Sequence, residues 1–360
     1  MKKEKNIIIV CALVLSILGL FMIYSSSYVW SIYKFGNRYH YLVYQLIFML
    51  FSVFITYLIY HLNLDYIKRN INKFLFLIIV FLILVVIPGI GVVRNGSRSW
   101  FRLGPFSLQP SEFSKIVLVL FTSKYLEKYH RKINSIKSYL IPILLVLFLI
   151  IFLVMLEPDF GSSVVVILTI CSLIFISGIN NKIIVTTILN GLLLFSLIII
   201  SAPYRLLRII SFINPWSDPL GSGYQIIQSL YAIGPAGLYG HGVFKSIQKH
   251  FYLPEPHTDF IFAIFIEEFG FIFSVIVLFI FFIFFYNVYK LSIKQKNMFN
   301  KFMLFGILSS LTIQTLINLS VVVGLVPVTG VTLPFFSYGG SSLISTGISL
   351  GLILNVTKEK

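Results

Sequence analysis

Apolar residues along this chain gather into runs of about 20, separated by short clusters of charge, proline or glycine. At 1.5 Å per helical residue such a run crosses the ~30 Å hydrocarbon core of a bilayer. The pattern predicts about ten helices, near 7–26, 41–60, 73–87, 111–126, 139–156, 161–178, 183–201, 259–289, 302–325 and 337–356. Two connections are long, 88–110 and 202–258, whereas the others are short. Connections beyond roughly 12–15 residues usually carry function or are disordered. The second mixes Trp216, Tyr224, Tyr231, Phe244 and Phe251 with many glycines, too apolar for a free linker, and is expected to pack on the membrane surface as short helices and turns. No internal repeat appears, so residues 1–360 read as one integral domain.

Composition changes the picture by excluding a soluble protein: 58% of the 360 residues are hydrophobic and 11% charged, with a mean hydropathy of +0.95. Soluble domains carry charge on about a quarter of their residues. The fold class is therefore all-α, polytopic and membrane-embedded. A formal net charge of +16 would suit nucleic acid, but the lysines sit in short loops between apolar runs, as the positive-inside rule requires. No nucleic-acid partner is expected. Alternating the sides from a cytoplasmic N-terminus puts most of the 28 Lys and Arg residues inside and both termini in the cytoplasm. The 202–258 loop, between the seventh and eighth helices, then lies outside, where most acidic residues also fall. Cys11 and Cys171 lie within apolar runs and supply neither a disulfide framework nor a thiolate metal site. The first apolar run exceeds the ~7–15 residues of a signal-peptide core, so it reads as a retained helix.

The candidate chemistry is concentrated near the outer ends of the helices. Arg94, Arg98 and Arg102 flank Trp100-Phe101 in the first long loop. Arginine forks suit phosphate oxygens, and the same pattern suits an interfacial anchor. Lys115 stands inside a span, where a charge needs a partner or water; Glu157 and Asp159 are candidate partners, and a substrate-facing cation is the competing reading. Asp259 follows Pro256-His257-Thr258 where a polar loop becomes an apolar span. It fits either an N-terminal helix residue or a general base at the membrane surface, with His257 sharing that work or simply solvated. Glu267 falls about 12 Å deeper and about 80° around the same helix, with Glu268 on the opposite side. Asp259 and Glu267 either line one cavity or Glu267 joins a structural network with buried Lys or Arg. The Gly330–Ser342 stretch breaks the apolar pattern with proline and small residues, a form tolerated at membrane depth where it is buried or lines a cavity.

Seven blocks in this order carry a family resemblance: Gly19–Ser25, Asn95–Trp100, Gln109–Lys115 (Gln-Pro-Ser-Glu-Phe-Ser-Lys), Glu157–Ser163, Tyr224–Ser229, Pro254–Ala263 and Pro334–Ser342. Together they resemble the SEDS family (shape, elongation, division and sporulation), the group of FtsW, RodA and SpoVE. The tight Tyr252–Asp259 block is more similar to the division and sporulation branch. The resemblance implies a ten-helix glycosyltransferase of the bacterial cytoplasmic membrane that polymerises lipid II, the undecaprenyl-pyrophosphate-linked disaccharide-pentapeptide, on the outer face. It makes Asp259 the essential acidic residue, deprotonating the acceptor's sugar 4-hydroxyl. Arg98, Trp100 and Lys115 fall on motif positions and rank next for substrate contact, ahead of Arg102, Lys249, His257 and Glu267. It also implies a class B penicillin-binding protein as partner, with other divisome or elongasome membrane proteins. No organic cofactor is implied, while a divalent cation between Asp259 and the pyrophosphate stays open. Pro235-Ala236 and Phe244-Lys245 depart from the family pattern in the large loop. A lipid II flippase and a non-catalytic scaffold are the rival classes.

Overall fold

The computed structural model describes residues 1–94, 96–104, 106–129, 136–178 and 211–358. The expected helix at 183–201 lies outside the described residues, as do residues 202–210 of the long connection and Asn95 of the second sequence block. The described helices are α1 (Lys2–Phe35), α2 (His40–His61), α3 (Leu64–Val86), α4 (Pro110–Tyr129), α5 (Ile136–Leu156), α6 (Phe160–Ile176), α7 (Tyr224–Ile233), α8 (Ile261–Ile293), α9 (Met298–Val322) and α10 (Gly340–Asn355). Among them α1, α2, α3, α8 and α9 are long and apolar enough to cross a membrane, and shorter apolar helices accompany them. The chain is a multi-pass membrane protein.

Helix boundaries follow local chemistry. Asn63, Asp159 and Asn297 cap α3, α6 and α9 by accepting from first-turn amides. Gly36, at φ 65°, ends α1 with its N–H donating to the Ile32 carbonyl at 2.9 Å. That end lies well past the expected residue 26, because Ser25–Ser31 continue the helix with polar groups turned inward. Small residues allow close helix approach. Gly347 and Gly351 of α10 face Ser52, Thr56 and Ile59 of α2, and Thr56 Oγ1 donates to the Gly347 carbonyl at 2.8 Å.

The all-α expectation needs one correction. The first long connection folds as a three-stranded antiparallel meander, β1 (Gly91–Arg94), β2 (Ser97–Leu103) and β3 (Phe106–Leu108). Arg94 pairs with Ser97, and Gly96, just before that pair's second member, takes φ 80°. Asn-Gly between alternating residues is the strongest short-range hairpin signal, and the helical reading of the chain passed over it.

A second departure lies in α8. Gly270 takes φ 77° and ψ −173°, a region open in practice only to glycine, and breaks the helix. The opened backbone groups are satisfied by the 237–242 segment of the long connection. His241 and Gly242 N–H donate to the Glu267 and Glu268 carbonyls at 2.9 and 3.0 Å, and Phe271 and Ile272 N–H donate to Gly237 and Leu238 at 3.1 and 3.2 Å. Gly240 and Gly270 meet backbone to backbone, leaving no room for a Cβ on either. In an apolar surrounding every backbone group needs such a partner. The long connection does contain short helices, as expected, but it is also built into α8.

Candidate active site

Asp259 lies in a turn two residues ahead of α8, not within the helix, so the helical depth and angle expected for Glu267 relative to it do not apply. Its side chain is half-buried, and Oδ1 accepts from Thr258 Oγ1 at 2.8 Å. Its backbone carbonyl accepts from Asn318 Nδ2 of α9 at 2.7 Å, and the same amide donates to the Val331 carbonyl at 2.8 Å. The Asp259 turn is thereby joined to the irregular segment that precedes α10. A second tie links the Tyr338 N–H to the His257 carbonyl at 2.9 Å.

His257 is not the solvated loop histidine that one reading allowed. It is buried between Tyr41 and Tyr338, with ring centroids 4.2 and 5.4 Å away. Burial first, and then the Lys34 charge, push its imidazole down to about 3. At neutral pH it is an uncharged packing group. Arg94 acts electrostatically on both flanking tyrosines. Its guanidinium lies 5.5 Å from the Trp100 ring and donates to Ser107 Oγ at 3.1 Å. Arg98 and Trp100 are half-buried on β2, and the buried Arg98 Nε has no hydrogen-bond partner among the described residues. Arg102 is exposed.

Lys115 is engaged by its own helix rather than by Glu157 or Asp159. Its ammonium lies 2.8 Å from Glu112, one turn back on the same face, and donates to Gln314 Oε1 at 2.9 Å. Asp159 is already occupied: it caps α6 and accepts from Gln109 and Ser111, each at 2.9 Å. Glu157 is fully buried, and neither carboxylate oxygen has a partner among the described residues. Burial, then the neighbouring Asp159 charge, push its carboxyl up to about 9, so it is protonated at neutral pH.

Glu267 and Glu268 divide between two tasks. Glu267 accepts from Ser246 Oγ at 2.5 Å and from the Ile247 and Gln248 amides at 2.7 and 3.3 Å. Glu268 pairs with Lys249 at 2.6 Å and accepts from Ser25 Oγ, all fully buried. Tyr28 and Phe244 cover the ammonium at 5.0 and 5.7 Å. The buried lysine of the network reading pairs with Glu268, whereas Glu267 is held by a serine hydroxyl and two loop amides. The departures from the family pattern fit it: Phe244 packs on Lys249, and Ser246 still reaches Glu267.

Sequence reasoning passed over Gln314 and Asn318. Two amides four residues apart in an apolar span were the available signal, since buried polar groups there require partners. Among the described residues no group of three or more His, Cys, Asp or Glu is arranged to hold a metal ion.

A half-exposed carboxylate thus stands just ahead of a broken helix in a membrane protein, and the arginine-bearing sheet acts on the two tyrosines that enclose His257, two residues before it. The comparisons give the family. The chain belongs to the FtsW/RodA/SpoVE family, whose model, described as cell cycle protein, matches residues 5–360. It is 44% identical to stage V sporulation protein E of Bacillus subtilis, over 98% of this chain and 96% of that one. It is 38% identical to the probable peptidoglycan glycosyltransferase FtsW of Coxiella burnetii, over 98% and 95%. In three dimensions it is similar to a chain of a peptidoglycan synthase complex, with TM-score 0.78, 29% identity and coverage of 97% and 96%. Rod shape determining protein RodA of Thermus thermophilus gives TM-score 0.72, 27% identity and coverage of 97% and 95%.

Proposed function

We propose that this peptidoglycan glycosyltransferase polymerises lipid II at the outer face of the bacterial cytoplasmic membrane, with Asp259 as general base. The observation that carries the assignment is the state of the carboxylates. Glu112, Asp159, Glu267 and Glu268 are drawn into internal pairs and caps and Glu157 is neutral; of the partly exposed Glu255 and Asp259, Asp259 has its main chain tied to α9 by Asn318 and stands at the acidic position of the family motif. Asp259 takes the proton from the acceptor's sugar 4-hydroxyl as that oxygen attacks the donor's anomeric carbon. The bond from that carbon to undecaprenyl pyrophosphate breaks, and the leaving group departs with its electron pair. Arg98 and Arg94 answer the phosphate charge, and Trp100 offers a sugar face. Lys115, Lys249, His257 and Glu267 serve by holding the walls, and Arg102 is assigned at most a peripheral contact.

The finer topology belongs to the same reading. The helix expected at 183–201 completes ten spans, both termini are cytoplasmic, and the long loop before α8 is extracytoplasmic. A class B penicillin-binding protein is the partner, a reading supported by the likeness to a chain of a synthase complex. The deciding experiment is glycan polymerisation from purified lipid II by the chain with its cognate partner, beside Asp259→Ala and a transpeptidase-dead partner. Polymer from wild type and from the dead-partner complex, but not from Asp259→Ala, is the expected result. No polymer from a stable complex would overturn the assignment in favour of a flippase or scaffold.

A further inference from the structure

We infer that Asn318, taking Asp259 as the base, is a positioning residue for the reaction, fixing the Asp259 backbone against the segment before α10 through both hydrogens of one side-chain amide. Asn318 is fully buried on α9. Its Nδ2 has two acceptors, the Asp259 carbonyl at 2.7 Å and the Val331 carbonyl at 2.8 Å. Both are backbone oxygens, which cannot donate, so the nitrogen must face them and the amide has one workable orientation. One helical turn earlier Gln314 repeats the arrangement, donating to the Thr332 carbonyl at 3.0 Å and accepting from Lys115. Residues four apart share one helix face. The two amides thus hold adjacent carbonyls of the irregular segment, and Asn318 alone of the two reaches on to Asp259.

The link matters because Asp259 lies outside regular structure. It precedes the helix, whose N-cap residue Phe260 makes no side-chain capping bond. Thr258 Oγ1 engages the Asp259 carboxylate, while Asn318 fixes the main chain from which that side chain departs. A catalytic group displaced by about 1 Å loses on the order of 10²-fold in rate without losing substrate affinity. Loss of the Asn318 bonds should appear in kcat and leave KM nearly unchanged.

The test is lipid II polymerisation by the full chain with its penicillin-binding partner, comparing Asn318→Leu, Asn318→Asp and Asn318→Gln with Asp259→Ala. Asn318→Leu removes both donors at similar volume; a kcat lower by about 10- to 100-fold, with KM within about twofold, is expected. Asn318→Asp would be as buried as Glu157 and, facing two carbonyls, protonated at neutral pH, so it donates one bond in place of two and its kcat should lie between those of the leucine variant and wild type. Asn318→Gln, which keeps the donors, should retain more activity than the leucine variant. If the leucine variant does not fold, a lowered kcat at unchanged KM in the aspartate variant decides. Wild-type kcat in Asn318→Leu, a KM rise at unchanged kcat, or wild-type kcat in the aspartate variant would each overturn the inference. Polymerisation by Asp259→Ala would instead remove the base assignment, and the positioning role with it.

Discussion

Asp259 and Glu268 flank the first turns of α8, yet they live in opposite settings. Glu268 is sealed from solvent with Lys249, Ser25 and covering aromatic rings, and its partner lysine is fully buried as well. Asp259 is half-exposed, with its backbone carbonyl bonded to Asn318 and its carboxylate to the neighbouring Thr258 hydroxyl. The difference teaches how one helix start serves two ends. A carboxylate that must exchange protons keeps access and a fixed main chain, whereas one that must anchor a loop gives up access for a full set of partners. Glu157 is a third case, buried with no carboxylate partner among the described residues and, through that burial, neutral.

The sharpest break of this contrast is at Asp259. Asp259→Asn should lower polymerisation by about 10²- to 10⁴-fold while thermal unfolding of the purified protein barely shifts; a large loss of stability would place Asp259 with the anchors. Lys249→Met should do the reverse, leaving Glu268 buried and unpaired at a cost of about 3–5 kcal/mol. Adding Glu268→Leu should restore most of that stability, and a double variant no more stable than the single would show that the pair is not the anchor.

Gly270→Ala forces a side chain into a backbone region costing about 1–3 kcal/mol and into the Gly240 backbone. Hydrogen exchange should quicken at the His241, Gly242, Phe271 and Ile272 amides and hold elsewhere in α8. Glu157 supplies a test that reads pH rather than contacts. Its folded-state value, about 9 against an ordinary 4.5, means that the folded protein keeps a proton that the unfolded chain releases. Stability should therefore be greatest in acid, fall as pH rises from about 4.5 toward about 9, and level off above, by up to about 1.4 kcal/mol per pH unit. Glu157→Gln should flatten that slope in unfolding measured across pH, and an unchanged slope would assign it to other groups.

Much of this could be read from the chain itself. Nine of the ten expected spans fall on described helices, with ends displaced most at the C-terminus of α1 and the N-terminus of α3, where continued polar turns and a cap set the true ends. Asp259 was singled out by its place between a polar loop and an apolar run. The β-meander was legible in Asn95-Gly96 but was outweighed by the helical pattern around it. The pairing of Lys115 with Glu112 was equally available as an i, i+3 relation on one helix.

What the sequence determined by itself is membrane residence, the approximate spans and the family, because hydropathy, charge asymmetry and local motifs are properties of neighbouring residues. Only the tertiary structure decided which carboxylate is engaged, which is neutral and which stays accessible. Those outcomes depend on Lys249 meeting Glu268, on Asp159 being taken by Gln109 and Ser111, and on Asn318 reaching Asp259. All are contacts between segments far apart in the chain, and desolvation and pairing, which fix the state of a charge, exist only once those segments have packed.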